Sequence, residues 1–153
     1  MLTLSKARKI IDHALERAKG LNISVSVAIC DTSGRLIALN QMDGSVGWEA
    51  DRYSIGKAIA AAVTGLPSDR LFEEFGKVRS SAWNYVVQPL GQRGGLPILE
   101  AGVIQGGCGV SGAPIREQDE ECASAGIAAF GSRTDESTYA GRRSRSLSMA
   151  SSA

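Results

Sequence analysis

The run Gly106-Gly107-Cys108-Gly109-Val110-Ser111-Gly112 limits what this chain can fold into more than any other stretch. From Gly107 it has the spacing Gly-x-Gly-x-x-Gly, the fingerprint of a dinucleotide-binding turn. Such a turn needs a βαβ context: a strand, a helix start facing the pyrophosphate, a second parallel strand, and an acidic residue about 20 positions on for the ribose. Here the segment "LPILEAGVIQGGCGV" reads as a hairpin turning near Ala101-Gly102, so the glycines fall in its second arm. The helix that follows runs into a serine-rich segment without a strand, and Asp135 and Glu136 lie in that segment. Glu117, Asp119, Glu120 and Glu121 crowd the helix start, where they repel a pyrophosphate. Neither NAD nor FAD is expected. A strand without side chains at Gly106, Gly107 and Gly109 instead marks close approach by a ligand or by another backbone. Gly107 and Gly109 are therefore candidate cofactor-contact positions.

The surrounding pattern supplies the rest of a fold. Leu4, Ala7, Ile10, Ile11, Ala14, Leu15 and Ala18 form one helical stripe, with Lys6, Lys9, His13, Glu16 and Arg17 mainly opposite and Gly20 as the stop. "ISVSVAICD" alternates, which predicts a strand with Val25, Val27 and Ile29 on one buried face. The turn "DTSG" and the strand "RLIALNQ" complete a first hairpin, broken by Met42-Asp43-Gly44-Ser45, where Asp43 is a turn residue. From Trp48 to about Val63 the periodicity is helical. The small residues Gly56, Ala58, Ala60 and Ala61 there would admit a second backbone, and an exposed small-residue face from Gly56 to Ala62 suggests self-association. Gly65 and Pro67 end that helix, and a short one is expected to be capped by Ser68 or Asp69. The stretch from Gly76 to Gly95 reads as irregular with some strand. "PIREQDEECASAGIAAF" is a final helix with Pro114 in its first turn. The expected fold class is α+β: an antiparallel sheet built from two hairpins, with flanking helices, in a single domain over residues 1–131. Residues 132–153 form a polar Ser/Arg-rich tail, expected to be disordered without a partner.

Composition excludes several function classes. Apolar residues are 43% and charged residues 22%, ordinary for a globular domain, and the net charge of +1 gives no global field for nucleic acid. No eighteen-residue apolar run exists, so no membrane span is expected, and the charged first helix does not resemble a signal peptide. A cytoplasmic protein is expected. Cys30, Cys108 and Cys122 are an odd count without Cys-x-x-Cys spacing, and there is one histidine, so a zinc cluster is not expected. The three cysteines read as small, half-buried hydrophobes.

Taken together, "SVAICDTSGRLIALNQMDG", the helix around Gly56-Lys57-Ala58, "GGLPILEAGVIQGGCGVSG" and "QDEECASAGIAAF" resemble the GlcG/HbpS family, itself similar to the C-terminal domain of PduO-type proteins. The resemblance spans roughly residues 2–130. It implies a small α+β domain, assembly into homo-oligomers (often octamers), and in some members haem binding or haem degradation. Others accompany catabolic enzymes. The family usually has arginine immediately before "MDG", where this chain has Gln41, so an anion contact from that position does not carry over.

Haem-binding relatives use a histidine on the first helix, so the resemblance points to His13 as the metal ligand and cofactor contact, against the plain alternative of a solvated histidine on a helix edge. Lys57 stands on a glycine- and alanine-rich helix, either as a surface lysine or as a group reaching an acidic ligand or acting as a base. Asp119 and Glu120 are candidate acid/base partners, or simply complement the helix dipole. Three readings follow. The first is an oligomeric small-molecule-binding protein with haem as the leading ligand. The second is an isomerase, lyase or hydratase using Lys57, Asp119 and Glu120 on a small carboxylated catabolic intermediate. The third is an auxiliary protein of a catabolic pathway. No nucleic-acid or membrane partner is expected.

Overall fold

A computed structural model describes residues 1–45, 47, 50–71 and 89–131. Helix α1 spans Leu4–Gly20 and is capped by Thr3, whose hydroxyl accepts from Lys6 N at 3.2 Å. It buries Ala7, Ile10, Ile11, Ala14 and Ala18, while Leu4 is 47% exposed and Leu15 only half-buried, so the apolar stripe is narrower than its periodicity suggests. Strands β1 (Ser26–Asp31) and β2 (Leu36–Gln41) form the first hairpin. Its turn is held by Asp31, whose carboxylate accepts from the backbone N–H groups of Ser33 and Arg35 at 2.9 and 3.0 Å. Strands β3 (Gly95–Glu100) and β4 (Val103–Ser111) form the second. Ala101 and Gly102, both with positive φ (50° and 77°), make the two-residue turn whose twist suits a hairpin.

The four-stranded sheet has the order β2-β1-β4-β3 and is antiparallel throughout. The two hairpins are joined through β1 and β4, with Ser26 opposite Ser111 and Cys30 opposite Gly107. Helix α1 and the last helix, α3 (Arg116–Ala128), cover one face. There Val25, Val27, Ile29, Leu96, Ile98, Cys108 and Val110 meet Ile10, Ile11 and Ile127 in the main core. α1 and α3 pack closely because Gly126 carries no Cβ, which would lie 2.6 Å from Ile10 O. The class is α+β, as the hairpin pattern implies.

Helix α2 (Ala50–Thr64) covers the other face. This corrects the expectation that β1 has one buried face, since Ser26, Ala28 and Cys30 are as fully buried as Val27 and Ile29. It also decides what approaches the glycine strand. A Cβ on Gly107 would run into the carbonyl oxygen of Ala58 and lie 2.8 Å from Ala62 N; one on Gly109 would strike Ser54 O and lie 2.5 Å from Ala58 N. The backbone of α2 rests directly on β4, so Gly107 and Gly109 face a helix rather than a cofactor. For the same reason the small residues of α2 are not an exposed self-association face: Gly56, Ala58, Ala60, Ala61 and Ala62 are all buried within the chain.

Smaller corrections concern the caps. A 3-10 turn at Ser68–Arg70 has Pro67 at its N-cap, and the short helix expected after Ser68 or Asp69 falls mostly on residues 72–75, outside the described residues. The Ser68 hydroxyl instead donates to Gln92 O and accepts from Gly95 N, stapling the chain just before β3. Pro114 precedes α3, whose N-cap is Ile115. Residues 76–88 of the segment read as irregular, and the tail 132–153, lie outside the described residues; residues 89–94 carry no helix or strand. Among the described residues no helix is long and apolar enough to cross a membrane.

Candidate functional site

α2 crosses β4 so that Ala58 lies over Gly107 and Ser54 over Gly109. Lys57, one residue from Ala58, then extends toward the far end of β4. Its Nζ donates to Val110 O at 2.8 Å and to Asp119 Oδ2 at 3.0 Å. The other oxygen of Asp119 accepts from Ala113 N at 3.0 Å. Both residues are almost wholly buried, with exposures of 2% for Lys57 and 3% for Asp119. Asp119 comes from α3 and Lys57 from α2, so the ion pair ties the two helical layers together around the end of β4.

Gly94 closes over this pair. Its φ of +124° is a backbone state that side-chain-bearing residues rarely adopt, and a Cβ there would lie 2.6 Å from Val110 O, 2.9 Å from Asp119 Cβ and 3.0 Å from Lys57 Nζ. Burial dominates the titration of both partners. It depresses Lys57 below the usual lysine range, with Asp119 opposing the shift, and it raises Asp119 above the usual carboxylate range, with Lys57 and the Ala113 amide opposing. Burial thus opposes the charged form of each group, and the contact between them offsets part of that cost. A cavity of about 400 Å³ opens beside the pair, walled by Ala50 and Tyr53 of α2, Ser111 of β4, Gln92, Pro114 and Arg116. That volume lies within the range of small-ligand sites.

The structure brings Lys57 and Asp119 together and leaves Glu120 out. Glu120 accepts from Arg93 Nη2 at 3.0 Å, and Arg93 also reaches Glu117 at 3.4 Å, forming a partly exposed network on the outer side of α3. His13 stands exposed on α1, in the other helical layer, and does not join the pocket. One turn from it is a second, smaller cavity of about 240 Å³ lined by Lys6, Lys9, Ile10, Glu100, Ala129 and Phe130. Gly107 and Gly109 contribute only by letting α2 sit low enough for Lys57 to reach Val110.

Arg116 and Gly94 are residues of the site that the sequence alone does not single out. For Gly94 a signal existed, the Gly94-Gly95 pair before an apolar strand. Arg116 looks like any surface arginine until α3 is placed. The cysteines are more buried than expected, and burial pushes the Cys30 and Cys122 thiols up to about 12 and about 11. Among the described residues no cluster of His, Cys, Asp and Glu is arranged to hold a metal ion.

The architecture and sequence have clear relatives. The family described as "Haem degrading protein HbpS-like" matches residues 2–128. Protein GlcG of Escherichia coli (strain K12) is 33% identical over 113 residues, which is 72% of this chain and 81% of that protein. A crystal structure of a double mutant of HbpS from Streptomyces reticuli superposes with a TM-score of 0.75 at 30% identity, covering 86% of this chain and 88% of the other. A crystal structure of PduOC in complex with heme shares the fold, with a TM-score of 0.74 at 24% identity over 84% of this chain and 94% of that one. The chain belongs to the HbpS-like family.

Proposed function

We propose that this protein binds a small molecule in the manner of its family, with haem the leading ligand and His13 the residue that would hold its iron. The observation that carries this reading is the placement of the chain's one imidazole, exposed on α1 a turn away from the Lys6/Lys9/Phe130 cavity. Several competing donors are engaged or enclosed. Cys30, Cys108 and Cys122 are sealed in the interior, and the Met42 sulfur already accepts from Val25 N at 3.4 Å. The residues at this surface that suit the group are His13 for iron, Lys9 for a propionate and Phe130 for an apolar edge; Lys6 is already paired with Glu100 at 3.3 Å and lies over the Phe130 ring. When bound, haem would supply an iron centre for ligand or redox chemistry. A cavity of about 240 Å³ is too small to enclose the macrocycle, so a second copy of the chain would have to cover its other side. The reading is thus of a cytoplasmic homo-oligomer, of which the octamers implied by the family are one form. In a haemin titration the wild-type protein is expected to shift the Soret band, and His13→Ala to lose the shift while keeping its hydrodynamic mass. An unchanged band in the variant moves the ligand elsewhere, and no shift in the wild type removes haem.

A second reading rests on a different observation, the Lys57–Asp119 pair at the wall of the 400 Å³ cavity. A buried lysine and carboxylate in contact beside a pocket suit acid/base work on a small molecule, as an isomerase, lyase or hydratase requires. Lys57 and Asp119 carry this reading, and Glu120, engaged with Arg93, does not.

A further inference from the structure

We propose that the cavity beside Lys57 and Asp119 takes a small carboxylic acid, held by its carboxylate at Arg116 with the adjoining carbon turned toward the buried pair. This rests on the second reading above and changes its anion-binding residue. The Lys57 ammonium is already consumed by Asp119 and Val110 O, and its pairing leaves no charge for a ligand. Arg116 lines the same cavity from the first turn of α3. Among the described residues it has no carboxylate partner: Asp119 is held by Lys57, and Glu117 and Glu120 by Arg93. A guanidinium at the rim of a pocket, with its own helix's acids committed elsewhere, matches a carboxylate through two parallel N–H···O bonds.

Three further features agree. Arg116 and Asp119 are three residues apart on α3, hence neighbours on one helical face about 5–6 Å apart at Cβ. An acid of two to four carbons anchored at Arg116 therefore places its second or third carbon by Asp119. The body of the pocket is apolar and small-walled, from Ala50, Ala113 and Pro114, which suits a short carbon chain. Ser111 also lines the cavity, and directly opposite it in the β1–β4 pairing, on the same sheet face, is Ser26. The Ser26 hydroxyl is fully buried and has no hydrogen-bond partner. Buried hydroxyls without partners are uncommon, and this one stands beside a residue that lines the cavity.

The test uses the full-length protein and a set of defined probes: acetate, propionate and pyruvate, with acetamide and propionamide as uncharged counterparts. Binding is read from amide chemical-shift changes at Gly112, Ala113 and Asp119. The acids are expected to bind and the amides not, and Arg116→Gln is expected to weaken the acids about tenfold or more at an unchanged melting temperature. Equal binding of acid and amide, indifference to Arg116→Gln, or displacement by chloride as effective as by a second carboxylate would each overturn the proposal. A separate measurement follows exchange of the pyruvate methyl hydrogens in D2O. Carboxylate binding without exchange above the buffer rate leaves this proposal standing and removes the acid/base reading; absence of carboxylate binding removes the proposal itself. Because Arg116 is exposed, its variant isolates the ligand from the fold, which Lys57 variants do not.

Discussion

The two faces of the sheet are built on opposite principles. The face under α1 and α3 is filled by branched side chains, Val25, Val27, Ile29 and Ile98 against Ile10, Ile11 and Ile127. The face under α2 is made by leaving atoms out: Gly95, Gly107 and Gly109 let the helix backbone itself lie on the strands, with only Ala28, Cys30 and Ala58 forming a small apolar cluster. Side chains on the first face can rotate and relax around a change. On the second, main chain touches main chain, and nothing can give way. The candidate pocket opens where this second face ends, where the glycines give way to Ser111 and the helix begins.

The contrast breaks most visibly at Gly107. Gly107→Val would drive two methyl groups toward a helix backbone that already excludes a Cβ. A loss of about 4 kcal/mol or more is expected, beyond ordinary overpacking, and seen in denaturant titration as little folded protein. If the variant folds with near-parental stability, α2 does not rest on β4.

Next in size is Lys57→Met, which leaves Asp119 buried without its cation. Breaking one side of a buried pair costs about 3–5 kcal/mol. The sign with pH follows from Asp119. Its carboxyl is raised by burial, and in the variant the lysine that lowers it is gone. The folded state then takes up a proton at a pH where the unfolded chain does not. The Asp119 contribution is therefore fully present below the unfolded carboxylate pKa and is lost as pH rises through the folded one. The difference in melting temperature between parent and variant should narrow as the buffer is taken from neutral toward acid. A gap that widens would place the charge elsewhere.

On the other face, Ile29→Val removes one methylene from a packed core. It should cost about 1 kcal/mol, with cooperative unfolding retained, as measured by the same titration. The smallest effect is expected at Ser26→Ala. This removes a hydroxyl that is buried without a partner, so stability should stay level or rise by about 1 kcal/mol or less. A clear loss would mean that Ser26 makes a bond the free protein uses.

The same contrast explains what could be read from the sequence. The branched face announces itself through periodicity. Ile10, Ile11, Val25, Val27 and Ile29 fall at helical and strand spacing, and from them the element order, both hairpins and the α+β class follow. The α2 face gives a weaker signal, since a glycine run says that something comes close without saying what. The short alanines of α2 read equally well as a surface for another subunit and as the packing face they form. The site was half legible for a related reason. Lys57 and Asp119 carry chemistry that draws attention at any position, but their pairing depends on α2 and α3 meeting around the end of β4, a contact between distant segments. Glu120, adjacent to Asp119 in sequence, points a different way because consecutive helical residues are about 100° apart. Arg116 becomes distinctive only once the acids around it are seen to be taken.

The strand order β2-β1-β4-β3 also bears on how quickly the chain can find this arrangement. Each hairpin is closed by a short turn and can form in about 1–10 μs. The seam between β1 and β4 joins partners that are far apart in the sequence, such as Ser26 and Ser111, so its loop must close before any seam contact offsets the lost entropy. Assembly of that seam, with the helices settling on its two sides, is therefore the slow event of folding. A two-stranded hairpin is marginal in water by itself, so neither half is expected to persist while it waits. Folding and unfolding should accordingly appear as one concerted transition, and substitutions at the seam should change the folding rate more than substitutions at either turn.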